Sequence, residues 1–292
     1  MGRDLVVWLD GEILEGPAAR IPVTDHGLLY GDGVFEGIRV YGRRVFRLAD
    51  HLDRMEAGAR SIGLMVPGGR AALEKAVFES ARASGRNDAY LRLVATRGDG
   101  ELGVDPTLCP SGRVFCIAAE ASLYPAEKLA QGIALLTASV RKPALDALDP
   151  RVKSLNYLNS VLAKREARLR GADEALLLNA AGRVAEASVA NVFVAQRGVL
   201  RTPPPTEGCL EGITRDSVRV IAEAQGMTVH EQPLSRMDLL AADEVFITGT
   251  GARMVPVASL DGLPVGEPGK RPVFERIAAA FPAFAHEHGT PL

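Results

Sequence analysis

The alternation of hydrophobic and polar positions along the chain predicts short strands separated by a few amphipathic helices. Near the N-terminus, VVWLDGEIL has the form of two strands joined by a tight Asp-Gly turn. In the next segment, GVFEGIRVY, the side chains alternate with a period of two. This period places Val34 and Glu36 on one face of a strand, and Phe35, Gly37 and Arg39 on the other.

Helical spacing appears after this strand and its neighbour, a second strand predicted over 44–48. Leu48, Leu52, Met55 and Ala59 recur at intervals of three and four and predict a helix that ends at Gly63. A second helix is predicted over 71–84, and AYLRLVAT is predicted to be a strand. The N-terminal half therefore combines a sheet with two helices.

The C-terminal half repeats the mixture in a different order. Ser154 is the expected cap of a helix that runs through RVKSLNYLNS to about Leu169. A further helix is predicted between Gly212 and Gly226, in EGITRDSVRVIAEAQG. The predicted strands are IALLTAS, DEALLLN, VAEASVANVFVA and EVFIT, and the glycine-containing loop GTGAR follows the last of them.

These elements predict an α/β fold of the mixed α+β kind. The segment AEASLYPAEK changes to small residues and is followed by a proline that opens a helix, which is typical of a domain boundary. We therefore predict a small N-terminal α/β domain over residues 1–120, a linker over 121–126 and a large C-terminal domain over 127–292.

Composition narrows the class of protein. The chain has 292 residues, 47% of them hydrophobic, and a formal net charge of -2. No basic patch indicates nucleic acid or an anionic membrane as a partner, and no apolar run approaches the ~18 residues of a membrane span. The three cysteines and five histidines show no metal-ligand spacing. We expect a cytoplasmic enzyme without a metal.

Two glycine motifs have the wrong context for nucleotide binding. Gly98, Gly100 and Gly103 form GxGxxG, but the VDP that follows does not begin the helix that a dinucleotide fingerprint requires. The GKR at Gly269 lacks both the earlier glycine and the following Ser or Thr of a phosphate loop.

Lysines are the informative residue type, because only six occur against 28 arginines. Lys75 and Lys164 are predicted on solvated helix faces, and Lys142 in a polar loop before a proline. Lys153 differs from them, since asparagines and Tyr157 surround it at the start of an apolar helix. Taken alone, an ordinary loop lysine is still favoured by about two to one.

The surroundings of other polar residues change that balance. Glu186 lies in a predicted strand of small apolar residues, where a carboxylate is costly to bury unless it meets a cation. EGIT opens a helix whose free N–H groups are suited to a phosphate, and the glycine loop GTGAR, with the residue before it, adds hydroxyls at Thr248 and Thr250. An amine, an acid and two phosphate-type loops fit pyridoxal 5′-phosphate. For Glu186 and EGIT, an exposed strand face and a plain helix cap remain the alternatives.

The order of motifs along the chain resembles that of fold-type IV pyridoxal-phosphate enzymes, and among them branched-chain amino acid aminotransferases. The motifs that carry the likeness are YGDGVFEGIRVY, FRLADHLDRM, AYLRL, RVKSLNYLNS, GRVAEASVANVF, EGITRD and ADEVFITGTGARMVPV. They extend over nearly the whole chain.

The resemblance implies a role for each of two sets of residues. Lys153 corresponds to the catalytic Schiff-base lysine and Glu186 to the partner of the cofactor's ring nitrogen, and Arg54 corresponds to the phosphate-binding arginine. The full cofactor set is Arg54, Lys153, Tyr157, Glu186, Leu210, Gly212, Ile213, Thr214 and Thr250. The implied substrate set is Tyr30, Phe35, Gly37, Arg39, Tyr90, Arg92, Thr250, Gly251 and Ala252.

The implied activity is transfer of the amino group of an apolar, branched-chain L-amino acid to 2-oxoglutarate, by a homodimer or higher homo-oligomer. Three departures from the usual pattern leave alternatives open: a single aromatic in LYPAEK, an acidic loop KPALDALDP, and Arg253 in the GTGARM loop. The alternatives are a D-amino acid or (R)-amine transaminase of the same fold, and an aminodeoxychorismate lyase. A non-enzymatic relative is expected to lack Lys153 or Glu186, and both are present.

Overall fold

The computed structural model describes residues 5–120 and 124–292, which form two units. The first unit contains residues 5–120 together with Val152–Asn156 and Ala285–Leu292, and the second contains residues 124–151 and Tyr157–Phe284. The predicted linker falls partly on residues 121–123, outside the described part of the chain. The predicted domain limits therefore stay a prediction.

The first unit is built on a seven-stranded antiparallel sheet, and it ends with strand β16 (Gly289–Pro291) at the C-terminus of the chain. The strand order is β16-β4-β3-β5-β6-β1-β2. Its other elements are β1 (Val6–Leu9), β2 (Glu12–Glu15), α1 (His26–Leu29), β3 (Gly33–Tyr41), β4 (Arg44–Phe46), α2 (Leu48–Ser61), α3 (Gly69–Ala83), β5 (Ala89–Thr96) and β6 (Arg113–Ala119).

The predicted alternation along β3 is confirmed, and it explains the two faces of this sheet. Val34, Ile38 and Val40 pack in the hydrophobic core formed with α2 and α3. Phe35 and Gly37 therefore belong to the opposite face of the sheet. The strand predicted over 44–48 ends two residues earlier, because the helix already begins at Leu48.

The segment Val152–Asn156 pairs with the beginning of β3. The N–H of Phe35 donates to the carbonyl of Lys153 at 2.9 Å, and Leu155 N–H donates to the carbonyl of Gly33 at 3.0 Å. Ser154 forms a β-bridge with Val34. The expectation that Ser154 caps a helix is therefore wrong: its backbone is held by a strand, and the helix starts only at Leu158.

The second unit contains a mixed sheet in the order β12-β11-β10-β13-β14-β7-β8-β9, with β15 added to β14. The pairs β7–β8, β7–β14 and β11–β12 are parallel, and the other pairs are antiparallel. The elements are α4 (Ala126–Gln131), β7 (Ile133–Thr137), α5 (Leu158–Leu169), β8 (Glu174–Leu178), β9 (Val184–Ala187), β10 (Asn191–Gln196), β11 (Val199–Thr202), α6 (Ile213–Ala224), β12 (Thr228–Glu231), α7 (Arg236–Leu240), β13 (Glu244–Gly249), β14 (Arg253–Leu260), β15 (Leu263–Pro264) and α8 (Pro272–Glu287), whose last turn lies in the first unit.

The single strand predicted over VAEASVANVFVA is two strands. β9 ends at Ala187 and β10 begins at Asn191. Between them Ser188 is buried and donates its hydroxyl to Glu174, whereas Val189 is 54% exposed. The backbone turns here, since Ala187 N–H donates to the carbonyl of Ala190 at 2.7 Å.

Lys164 was predicted on a solvated helix face, but it binds the buried carboxylate of Glu174. This carboxylate is fully buried and accepts hydrogen bonds from Lys164 Nζ at 2.6 Å and from the hydroxyl of Tyr124 at 3.0 Å. The amphipathic pattern of α5 predicts a solvated face for Lys164 and does not show that a buried acid lies beside it. The cluster fixes α5 to the start of β8.

Within residues 5–120 and 124–292, no helix is both long and apolar enough to cross a bilayer.

Candidate active site

The structure places the predicted site residues in two sets, one in each unit. In the first unit, the ring of Phe35 lies close to two cationic side chains. The guanidinium carbon of Arg92 is 3.9 Å from the ring centre and Lys153 Nζ is 4.5 Å from it. Cations at these distances are attracted to the face of an aromatic ring. Three predicted residues, from β3, β5 and the segment before α5, are thus in contact.

Gly37 and Tyr90 complete this face of the sheet. Gly37 pairs with Arg92 across β3 and β5, and Arg39 pairs with Tyr90. A Cβ atom on Gly37 would lie 2.5 Å from the Tyr90 hydroxyl. Any side chain at position 37 would therefore require the tyrosine to move.

Tyr30 lies outside the sheet. It follows α1, its hydroxyl accepts a hydrogen bond from Gly103 N–H at 2.9 Å, and its ring contacts His26 edge-on at 4.8 Å. The structure thus ties Tyr30 to the loop after β5, with 38% of the residue exposed.

Arg54 is held by a carboxylate that the sequence analysis did not select. Its Nε and Nη2 both donate to Glu36 at 2.7 Å, one to each oxygen. His51, one turn earlier on α2, is 2.7 Å from the same carboxylate through Nδ1. The side chains of Glu36 and His51 are completely buried. A bidentate pair of this kind fixes the plane of the guanidinium.

Burial and charge act in opposite directions on this cluster. Burial by itself would raise the pKa of Glu36, but Arg54 and His51 outweigh it and lower the pKa to about 2. Burial lowers the pKa of His51 below its ordinary value, and Glu36 only partly offsets that effect. The cluster therefore contains an ionised acid, a charged arginine and a neutral imidazole at neutral pH.

In the second unit, Glu186 is buried at the end of β9, with 9% of its side chain exposed. One of its oxygens accepts from Leu210 N–H at 3.0 Å and, more weakly, from Asn191 Nδ2 at 3.4 Å. Asn191 also donates to the Leu210 carbonyl at 2.8 Å. The acid is therefore tied to the loop that leads into α6.

The other oxygen of Glu186 forms an ion pair with Lys142. The side chain of Lys142 is only 12% exposed, although the sequence predicted it in a polar loop. Burial lowers the pKa of Lys142, but the charge of Glu186 and the hydrogen bond to it outweigh burial, so the pKa is raised overall. The expectation that a buried Glu186 requires a cation is met within the chain itself.

The remaining residues of the cofactor set surround the start of α6 and the end of β13. Gly212 precedes α6 without a side-chain cap, and a Cβ atom there would collide with Asn191 Oδ1. Ile213 and Thr214 are buried in the first turn, and Leu210 and Thr250 are partly buried. Tyr157 precedes α5, while Gly251 and Ala252 form the turn between β13 and β14.

These residues fit a phosphate-bearing pyridine cofactor in their chemistry. A helix start without a side-chain cap suits a phosphate, and a buried carboxylate suits a protonated ring nitrogen. The hydroxyl of Thr248 is buried without a hydrogen-bond partner among the described residues, two positions before Thr250. The second unit thus holds an acid and an unpaired hydroxyl ready for a polar ligand.

The model of the family described as amino-transferase class IV matches residues 33–260. This chain belongs to that family. A Methanocaldococcus jannaschii protein named as a candidate branched-chain-amino-acid aminotransferase is 47% identical over 256 residues, which are 88% of each chain. The structure of the Escherichia coli branched-chain amino acid aminotransferase superposes with a TM-score of 0.92 at 37% identity, covering 96% of this chain and 94% of the other.

The branched-chain amino acid aminotransferase of T.th. is also similar over 98% of both chains. Its structure with pyridoxamine 5′-phosphate has a TM-score of 0.92 at 34% identity. Its complexes with N-(5′-phosphopyridoxyl)-L-glutamate and with 4-methylvaleric acid have TM-scores of 0.91 and 0.90, at 34% and 35% identity. The predicted fold class and family are confirmed by these matches.

The sequence did not predict four residues that contact the candidate site: Glu36, His51, Lys142 and Asn191. Glu36 had a detectable signal, since it is the only charged residue on the apolar face of β3. His51 and Arg54 are three apart on α2 and therefore share a helix face. Lys142 and Asn191 gave no such signal, because their contacts depend on how the loops and β9 fold together.

Proposed function

We propose that this class IV aminotransferase moves the amino group of a branched-chain L-amino acid to 2-oxoglutarate, with pyridoxal 5′-phosphate as its cofactor. The observation that carries the proposal is the buried Glu186 carboxylate beside the uncapped start of α6, in a chain that matches such enzymes over almost its full length. When bound, the cofactor supplies an electron-accepting ring for the substrate's α-carbon.

Different residues of this chain would bind the cofactor's ring, bind its phosphate and move the substrate's proton. The Lys153 amine would hold the cofactor and would take up and return the proton at the substrate's α-carbon. Glu186 would hold a proton on the ring nitrogen. Arg54, Thr214 and Thr250 would bind the phosphate, which suits a charged fork, a helix start and a hydroxyl.

The substrate face of the first unit supports an apolar side chain with a carboxylate nearby. The aromatic rings of Phe35 and Tyr90 offer apolar surface, and Arg39 and Arg92 lie on the same face of the sheet. The ligands of the T.th. enzyme, a phosphopyridoxyl adduct of L-glutamate and a branched apolar acid, have the chemistry of the two proposed substrates.

Stereochemistry and substrate class are tested together. The purified, cofactor-loaded enzyme is mixed with 2-oxoglutarate and, in separate samples, L-leucine, D-leucine or (R)-1-phenylethylamine, and the formation of L- and D-glutamate is followed by chiral chromatography. We expect glutamate to form from L-leucine at least 100-fold faster than from D-leucine or the (R)-amine. Faster reaction with D-leucine or the (R)-amine contradicts the proposal, as does release of pyruvate from aminodeoxychorismate without an amino acceptor.

We propose in addition that the enzyme is a cytoplasmic homodimer. The loop after β5 is tied to α1 by the hydrogen bond between Gly103 and Tyr30, and both segments expose apolar side chains. Leu102 and Val104 are 78% and 83% exposed, and Leu28 is 61% exposed. Exposed apolar residues on joined segments are typical of an interface. Sedimentation at micromolar concentration should give twice the mass of the chain, and a Val104→Asp variant should lower that mass.

A further inference from the structure

Both the backbone and the side-chain stem of Lys142 make contacts, in addition to the ion pair of its amine with Glu186. Its backbone N–H donates to the Leu178 carbonyl at 2.9 Å, at the end of β8. Its Cγ lies so close to Gly208 that a Cβ atom there would be 3.3 Å away. A lysine normally has many accessible rotamers, so these two contacts select the direction in which the amine points.

The carboxylate of Glu186 has room for one more donor. An ionised carboxylate offers about four acceptor positions. Among the described residues three donors use them: Lys142 on Oε1, and Leu210 N–H and Asn191 Nδ2 on Oε2. The position that remains is on Oε1, beside the lysine amine.

We propose that Lys142 is a positioning residue for the transamination reaction: its amine pairs with the Glu186 carboxylate and holds it turned so that Oε1 can accept the N–H of the cofactor's ring. This inference rests on the proposed function, because it gives Lys142 a role only through the ring nitrogen's partner. Lys142 would act by its charge and its hydrogen bond, without contact with the substrate.

The same geometry argues against Lys142 as the lysine that bonds to the cofactor. An amine must lose its proton before it can attack an aldehyde. The ion pair with Glu186 raises the pKa of Lys142, which favours the protonated ammonium. An ammonium has no lone pair to donate, so Lys142 suits an electrostatic role.

The test measures how tightly the full-length, cofactor-free enzyme takes up pyridoxal 5′-phosphate, by fluorescence titration at pH 7.5. Lys142→Met removes the charge and keeps the length of the side chain. We expect its dissociation constant for the cofactor to rise at least tenfold, because Glu186 then loses the ion pair that holds its carboxylate in place. Lys142→Arg keeps the charge and should stay within about threefold of the unmodified enzyme.

A double-mutant cycle shows whether Lys142 acts through the acid. If it does, Lys142→Met should change the dissociation constant by less than twofold in a Glu186→Gln background. An equal loss in both backgrounds contradicts the proposal, since Lys142 would then contribute independently of Glu186. Circular dichroism and urea unfolding of each variant establish that it is folded.

The outcomes separate this inference from the proposed function. If the unmodified enzyme does not bind pyridoxal 5′-phosphate, the proposed function fails. If the unmodified enzyme binds it and folded Lys142→Met binds it equally well, only the role of Lys142 is overturned. If Lys142→Met fails to fold, the comparison of Lys142→Gln in the two backgrounds decides by the same criterion.

Discussion

Two buried glutamates, one in each unit, meet cations in different ways. Glu36 is completely buried and is bound by both arms of the Arg54 guanidinium and by His51. Glu186 keeps 9% of its side chain exposed and is bound by one lysine amine, one backbone N–H and one amide. Both glutamates have cationic neighbours, but only Glu186 remains accessible.

The difference lies in the chemistry of the two cations. A guanidinium matches both oxygens of a carboxylate in one plane, whereas an ammonium is a point charge that binds one oxygen. Glu36 therefore holds the Arg54 guanidinium in one plane. Glu186 is held less completely, which leaves one acceptor position for a further donor.

Loss of the cation that binds Glu36 should strongly destabilise the folded protein. Arg54→Met should lower the free energy of unfolding of the cofactor-free protein by about 3–5 kcal/mol, because it leaves Glu36 charged and buried without a bidentate partner. Urea unfolding at pH 7 measures this change.

Lys75→Met is the matched control. Lys75 and Glu79 form an exposed pair at 4.0 Å, so its loss should cost less than about 0.5 kcal/mol. A similar loss in both variants would contradict the account of the Glu36 cluster.

The next effect is catalytic. Glu186→Gln should lower kcat by about 100-fold or more, because an amide cannot stabilise a protonated ring nitrogen as a carboxylate does. The cofactor should still bind through its phosphate contacts, although more weakly than in the unmodified enzyme. Steady-state rates with L-leucine and the absorbance of bound cofactor measure the two quantities. Unchanged turnover would remove Glu186 from the reaction.

The contribution of Glu36 to the stability of the folded protein should be lost at acidic pH. Its pKa in the folded protein, about 2, lies below its ordinary value of 4.5, so its contribution to stability is present above pH 4.5 and is lost as the pH falls towards 2. Between pH 5 and pH 3 this group should account for about 2 kcal/mol of lost stability. His51 acts in the same direction but at higher pH, because its lowered pKa makes the folded protein lose stability below about pH 6.5.

Glu36→Gln isolates this part of the acid sensitivity. Urea unfolding at pH 5 and pH 3 should show a change about 2 kcal/mol smaller in this variant than in the unmodified protein. Equal changes would mean that Glu36 is not held ionised by Arg54 and His51.

The smallest effect concerns the substrate face. Gly37→Ala places a methyl group 2.5 Å from the Tyr90 hydroxyl, so the tyrosine must move. We expect kcat/KM for L-leucine to fall about tenfold, with a smaller loss for the double variant Gly37→Ala/Tyr90→Phe, which removes the hydroxyl. An equal loss in the single and double variants would show that Tyr90 is not the reason for the glycine.

Much of the fold could be predicted from local patterns. The period of two along β3 and the helical spacing of Leu52 and Met55 describe elements whose faces pack in one hydrophobic core, so the pattern and the packing agree. The misplaced helix cap at Ser154 has a non-local cause, because this residue pairs with Val34, which is 120 positions earlier. Local capping preferences do not report such a pairing.

The candidate site was predicted only where residues have a recognisable pattern. Lys153 and Glu186 were selected because an amine among amides and an acid among small residues are unusual. Lys142 looked like an ordinary loop residue, because its burial results from the close approach of Gly208 and Glu186 in the folded chain. The sequence therefore indicated an acid that needs a cation, and only the fold shows which lysine provides it.

The lysine that bonds to the cofactor can be identified directly by chemical labelling. Cofactor-loaded enzyme is reduced with borohydride and digested, and the labelled peptide is identified by mass spectrometry. We predict a single pyridoxyl label on Lys153 and none on Lys142. A label on Lys142 or on any other lysine, or no label at all, would contradict the account.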